Sequence, residues 1–331
     1  EQFFLFLGQA IVILVVFLLC VLGIVVSVMR AKSMQNNLEV DLINEKIHNY
    51  TWHIKSYVGD PKEFKKEYKA EVKKLKEKNF EKKLFVLNFD GDLGASEVDN
   101  LREEITALLT VATPQDEVLV KIESEGGMVH SYGLGASQLE RIKARGIPLT
   151  TAVDRVAASG GYMMACVGDK LIAAPFAIVG SIGVIAEVPN FAKVLKKYDV
   201  DYREYTAGEH KRTVTMFGEI SPDKENKFKE QLEQTHVLFK SFVHRFRTKV
   251  QIDQVATGEY WYGETALGLG LVDKLETSDD YVLKATEDHE VVELKYKEKK
   301  PLAERMAETL GRSAAGGVSK ILQKLMYSAR V

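Results

Sequence analysis

From Leu84 onward, short apolar runs alternate with helical patterns, and that alternation leaves the chain few architectures. "LFVLNF" (84–89), "EVLVKI" (117–122) and "PLTTAV" (148–153) have the length and the apolar or β-branched character of strands. "SEVDNLREEITALL" follows the first and "SYGLGASQLERIKARG" the second, and both read as helices; Gly146 and Pro148 stop the latter. Strand alternating with helix predicts an α/β domain with a largely parallel sheet. Further along, "IVGSIGVIAE" predicts a buried strand and "DYREYTA" another. "PDKENKFKEQLEQTHVLFKSFVHRFRTKV" predicts a long amphipathic helix, with Ser221 as its N-cap and Pro222 in its first turn.

The flanks are of a different character. Phe3 to Met29 contains no ionisable side chain, and Gln9 is its only strongly polar one. A bilayer core takes about 20 apolar residues of helix, so residues 1–30 read as a transmembrane anchor. The run is too long for the apolar centre of a signal peptide, and no small-x-small cleavage site follows it. Arg30 and Lys32 follow the run while only Glu1 precedes it, so the positive-inside rule puts the bulk of the chain on the cytoplasmic face. Residues 31–83 read as a charged helical connector, with Glu63, Glu67 and Glu71 spaced against Lys65, Lys69 and Lys73. That pattern suits a solvated helix, with contact to anionic headgroups as the alternative. Residues 84–300 form the expected α/β domain. Residues 301–331 read as an amphipathic helix in which Leu302, Met306, Leu310 and Leu325 share a stripe flanked by Arg305, Arg312 and Lys320. Its apolar face suits a membrane or a neighbouring subunit, and finishing the core is the remaining reading.

Lys and Arg number 45 against 47 Asp and Glu, a net charge of −2, which gives no support to nucleic-acid binding. The two cysteines, Cys20 and Cys166, both lie in apolar surroundings and suggest neither a disulfide nor a metal framework. No P-loop, paired metal-binding carboxylates or zinc spacing is present, so no cofactor and no metal is expected.

One short stretch invites chemistry. "RVAASGGYMMA" sets Ser159 before Gly160, Gly161 and a helical apolar run. A serine at a helix start, followed by glycine, lets the next N–H point at a developing negative charge. The same letters also spell close backbone packing. Gly126 and Gly127, at the end of the "EVLVKI" strand, could bring a second N–H to the same place, or simply form a strand-to-helix turn. None of the seven histidines has an obvious carboxylate partner. A lysine serves as base when burial leaves its amine neutral, and Lys211 of "YTAGEHKRTVT" follows a predicted strand, although alone it reads as a solvated side chain.

"VDRVAASGGYMMA", "APFAIVGSIGVIAEVPNF", "TAGEHKRTVT" and "VATGEYWYGETALGLGLVDKLE" resemble, in one order from about Leu84 to Leu275, the SppA/SohB family of membrane-anchored serine peptidases. The resemblance implies a ClpP/crotonase-type fold behind an N-terminal transmembrane helix. It also implies a Ser–Lys dyad, with Ser159 as nucleophile and Lys211 as general base. Ser181 would orient the lysine amine, and Gly127 and Gly160 would supply the oxyanion N–H groups. Substrates would be peptides or misfolded and membrane-derived polypeptides, cut by a ring- or dome-shaped homo-oligomer, with eight subunits the favoured count. Localisation would be the inner membrane, and here the resemblance and the charge rule part: signal-peptide-degrading relatives of the duplicated type work on the outer side. One position departs from the family pattern. Glu125 stands where proline usually precedes the glycine pair, so the loop loses a fixed φ and gains a negative charge. Two other readings remain: a non-catalytic membrane scaffold, and an acyl-thioester enzyme of the crotonase type, which would not need the Ser–Lys pair.

Overall fold

The structure, a computed structural model, describes residues 37–58, 67–68 and 80–297. The anchor read at Phe3–Met29, most of the connector between 59 and 79, and the helix read at 301–331 lie outside the described residues. Among the described residues no helix is long and apolar enough to cross a membrane. The chain divides into two compact units, Val40–Lys295 and a second to which residues 37–39 and 296–297 belong. In the second, the Asn37 amide donates to the Tyr296 hydroxyl at 3.1 Å and Lys297 pairs with Glu39 at 2.6 Å.

Among the described residues there are ten strands: β1 (Leu38–Leu42), β2 (Lys83–Gly91), β3 (Glu117–Ser124), β4 (Leu149–Val153), β5 (Val156–Ala158), β6 (Lys170–Ala173), β7 (Ile178–Gly180), β8 (Tyr260–Tyr262), β9 (Lys274–Leu275) and β10 (Glu290–Tyr296). The helices are α1 (Ile43–Val58), α2 (Val98–Leu108), α3 (Val129–Lys143), α4 (Gly160–Ala165), α5 (Ala192–Lys197), α6 (Pro222–Phe246), α7 (Ile252–Val255), α8 (Gly263–Gly268) and α9 (Ser278–Ala285). The main sheet runs β10-β2-β3-β4-β6-β9, all parallel. Leu84, Phe85, Val86 and Leu87 are all buried, because a parallel strand covered on both faces takes a continuous apolar run. On one face Leu84, Val86, Leu119, Ala152 and Ile172 form a cluster with Val282 of α9. Leu101, Ile105 and Leu108 of α2 are buried at helical spacing, as are Tyr132, Ala136 and Leu139 of α3.

The sheet forks at the end of β3. Val118 to Lys121 pair with β4, but Ser124 pairs with Ala157 of β5, and β5 in turn carries β7 and the antiparallel β8. Strands therefore diverge at the C-terminal end of β3, which is where an α/β sheet opens a crevice. The α/β class, β2 to β4 and the helices after β2 and β3 match the sequence reading. Ser221 caps α6, its Oγ accepting the Lys224 N–H at 3.4 Å.

Two expected strands are corrected. "IVGSIGVIAE" pairs only over Ile178–Gly180, since Gly180 (φ 93°) and Ser181 (φ 50°) turn the chain out of the extended region and Ile185 is 81 % exposed. "DYREYTA" forms no strand. Its Tyr202 ring packs on Phe217 instead, and Asp201 binds Arg203 within the segment.

The start of β2 is tied down by a buried carboxylate. Asp116 accepts the Lys83 N–H at 2.9 Å, and the Thr113 N–H and hydroxyl at 2.8 and 2.9 Å. Desolvation pushes this carboxyl upward, yet the Thr113 and Lys83 hydrogen bonds outweigh it and hold the group below its ordinary 3.8. A folded value below the unfolded one adds stability in full above the unfolded pKa and loses it as pH falls through the folded value. Urea melts at pH 5 and pH 3 should therefore show acid destabilisation, and Asp116→Asn, less stable at pH 5, should narrow the gap between the two.

Candidate active site

Ser159 joins β5 to α4 at a strained point of the backbone. Its φ of 51° and ψ of −118° lie where a non-glycine residue is rarely found. The conformation is pinned from both sides: its N–H donates to the Gly180 carbonyl at 2.8 Å, and its carbonyl accepts the Met163 N–H at 2.9 Å. A strained strand-to-helix turn is one way to expose a nucleophilic serine above a sheet. The side chain is half-buried.

The two glycine pairs meet beside it. Gly126 has φ +92°, and a Cβ there would lie 2.7 Å from both the Gly160 nitrogen and the Ser159 Cβ. A Cβ on Gly127 would lie 2.2 Å from the Leu93 carbonyl oxygen, and one on Gly160 2.4 Å from the Tyr132 ring. Packing and presentation, separate readings of the sequence, are thus one arrangement: absent side chains let the backbones close around the serine.

Gly126 donates its N–H to Ser124 Oγ at 3.0 Å, and Met128 donates to the Leu93 carbonyl at 2.9 Å. Between them, the Gly127 N–H has no acceptor among the described residues, and neither has the Gly160 N–H at the start of α4. Two uncommitted donors beside a strained serine suit an oxyanion.

Ser181 follows Gly180, which is in register with Ala158, so it sits one strand over from the nucleophile's strand. Its N–H donates to Glu259 O at 2.8 Å and its hydroxyl to Gly258 O at 3.3 Å. Lys211 lies in the loop before α6, its N–H on Gly208 O at 3.1 Å and its side chain exposed. No hydrogen bond joins its amine to Ser159 or Ser181 within this chain. Glu125 is exposed. Sequence reasoning passed over Tyr132, Ser124 and Asp92, which support the Gly126–Gly127 loop, and His236, whose Nε2 lies 3.2 Å from Ile182 O. Only tertiary contact reveals them. Burial, its largest influence, holds the Tyr132 phenol above its ordinary range, so its hydroxyl stays a donor.

The chain as a whole is similar to known proteins. Profiles described as "Peptidase family S49 N-terminal" and "Peptidase family S49" match residues 1–139 and 141–292. A chain named "Probable protease SohB" from Haemophilus influenzae is 46 % identical over 314 residues, covering 90 % of this chain and 89 % of that one. The chain belongs to peptidase family S49. A second "Probable protease SohB", from Buchnera aphidicola subsp. Acyrthosiphon pisum, is 48 % identical over 76 % of this chain and 73 % of its own. "Protease 4" of Haemophilus influenzae is 27 % identical over 64 % of this chain and 36 % of its own. A solved structure of a membrane-bound stomatin-specific protease superposes with a TM-score of 0.41 at 13 % identity, over 61 % of this chain and 84 % of that one. Gly127 falls within the region matched by the N-terminal profile, and Ser159, Ser181 and Lys211 within the region matched by the other.

Proposed function

We propose that this S49 protease is a membrane-anchored serine endopeptidase of ClpP/crotonase-type fold, working through a Ser159–Lys211 dyad. The observation that carries it is the strained Ser159 flanked by the unengaged N–H groups of Gly127 and Gly160. Lys211, as the free amine, takes the Ser159 proton while Oγ attacks a peptide carbonyl carbon. The oxyanion is held by the Gly127 and Gly160 amides, each worth about 3 kcal/mol in the transition state. The lysine ammonium then protonates the leaving amine. Water attacks the acyl ester as Lys211 takes its proton, the C–O bond to Ser159 breaks, and Lys211 passes that proton to Oγ, which restores the hydroxyl and the free amine. Ser181 orients the lysine amine.

A base of this kind needs to be dried, and Lys211 is exposed in the single chain. Its loop also exposes Tyr198 and Tyr205, and Ile185 lies on the segment leading to it. A homo-oligomer, a ring or dome in which a neighbour covers this segment, would bury all of them together. Residues 84–300 form the peptidase domain, behind an anchor at 1–30, a connector at 31–83 and an amphipathic helix at 301–331. The anchor sits in the inner membrane, and the charge rule favours the cytoplasmic face for the catalytic domain. Substrates are peptides and misfolded or membrane-derived polypeptides.

Hydrolysis of fluorogenic peptides by the full chain in detergent micelles tests the proposal. Ser159→Ala should remove activity without changing the folded fraction. No hydrolysis by the parent would turn the reading to a non-catalytic scaffold, and equal hydrolysis by the variant would take the role of nucleophile away from Ser159.

A further inference from the structure

The loop carrying Gly127, with Glu125 before its glycine pair, is held in place by a short chain of hydrogen bonds. Gly126 N–H donates to Ser124 Oγ at 3.0 Å, Ser124 and Tyr132 hydroxyls meet at 2.5 Å, and the Tyr132 hydroxyl donates to the Asp92 carbonyl at 2.6 Å. A carbonyl oxygen only accepts, so the one phenolic hydrogen is committed to Asp92. Ser124 must then donate to Tyr132, and its lone pair is free for Gly126. Every direction in this relay is therefore fixed. Tyr132 is fully buried and Ser124 nearly so, and a Cβ on Gly91 would lie 2.6 Å from both hydroxyl oxygens. The space between β2 and α3 is shaped to hold the relay.

Tyr132 also reaches the second donor. Its ring lies 2.4 Å from where a Cβ of Gly160 would be, and Phe89 packs edge-on against it at 6.1 Å. Asp92 leads into Leu93, whose carbonyl takes the Met128 N–H, so the same residue ties three segments around Ser159. We propose that Tyr132, through Ser124, is the positioning residue of the oxyanion hole: its hydroxyl sets the Gly126–Gly127 loop, its ring sets Gly160, and together they fix how far apart the two N–H donors stand. The proposal rests on the reading of Ser159 as nucleophile.

Tyr132→Phe keeps the ring and removes the relay, and Ser124→Ala removes it one step earlier. Each variant is assayed with the fluorogenic peptide, with active sites counted by complete fluorophosphonate labelling. The expected result is kcat per labelled site about tenfold lower with KM within about twofold, since a mispositioned donor weakens only transition-state binding. The double variant should be no worse than the poorer single, because both break one chain of bonds. A purely structural role predicts fewer labelled sites with kcat per site unchanged. That outcome in either variant, a rise confined to KM, or effects that multiply in the double variant would overturn the proposal. Should Tyr132→Phe fail to fold, Ser124→Ala decides alone. Ser159→Ala separates the two failures: if it is inactive while Tyr132→Phe and Ser124→Ala match the parent, only the positioning role falls, and if it stays active, the site itself does.

Discussion

Lys211→Ala is expected to abolish peptide hydrolysis while leaving the fold as stable as the parent. Within one chain the side chain is exposed and bonds to no described residue, so its removal takes no packing from the folded subunit. Substitutions at such sites change stability by no more than about 0.5 kcal/mol. Loss of a general base, in contrast, costs about 10²–10⁴-fold in turnover. A thermal melt beside a kcat measurement makes the comparison in one preparation. Few exposed lysines would show so wide a split between the two readouts. A variant with less than about tenfold loss would take the role of base away from Lys211, whichever residue then held it.

Gly127→Ala should cost nearly as much in activity, for a different reason. The new Cβ would lie 2.2 Å from the Leu93 carbonyl oxygen and 2.7 Å from its carbon, both backbone atoms that cannot swing aside. Either the 92–95 turn or the glycine loop has to move, and the N–H of residue 127 moves with it. Removing one oxyanion donor from such a site lowers kcat by about 10²–10³. The shift also threatens the Met128–Leu93 hydrogen bond, so part of the effect should appear as lower stability, unlike Lys211→Ala. Stopped-flow kinetics on folded protein separates the two contributions. An alanine variant with kcat near the parent value would mean that this amide does not face the reacting carbonyl.

The central strands were legible because β2, β3 and β4 are buried on both faces, and burial of that kind writes a continuous apolar run. The N-cap of α6 was legible because Ser221-Pro222 is local chemistry. The fork of the sheet was not. It depends on Ser124 pairing with Ala157, across 33 residues, and on strands β5, β7, β8 and β9 of two or three residues, too short to carry a periodicity. "IVGSIGVIAE" misled because its apolar letters describe a strand, while the backbone turns at Gly180 and Ser181. At the site, the glycines and Ser159 stood out as letters, but the φ of 51° that marks Ser159 is a property of the fold. The roles given to Lys211 and Ser181 came from resemblance alone. Tyr132 could not be found at all, since its partner Asp92 lies 40 residues away and the helix pattern explains a buried tyrosine without any chemistry.

The most direct measurement is the intact mass and peptide map of the full chain after a fluorophosphonate. A single covalent adduct on Ser159, absent from Lys211→Ala over the same interval, is the predicted result. An adduct on any other residue, or one that forms on Ser159 at the same rate without Lys211, would contradict the account.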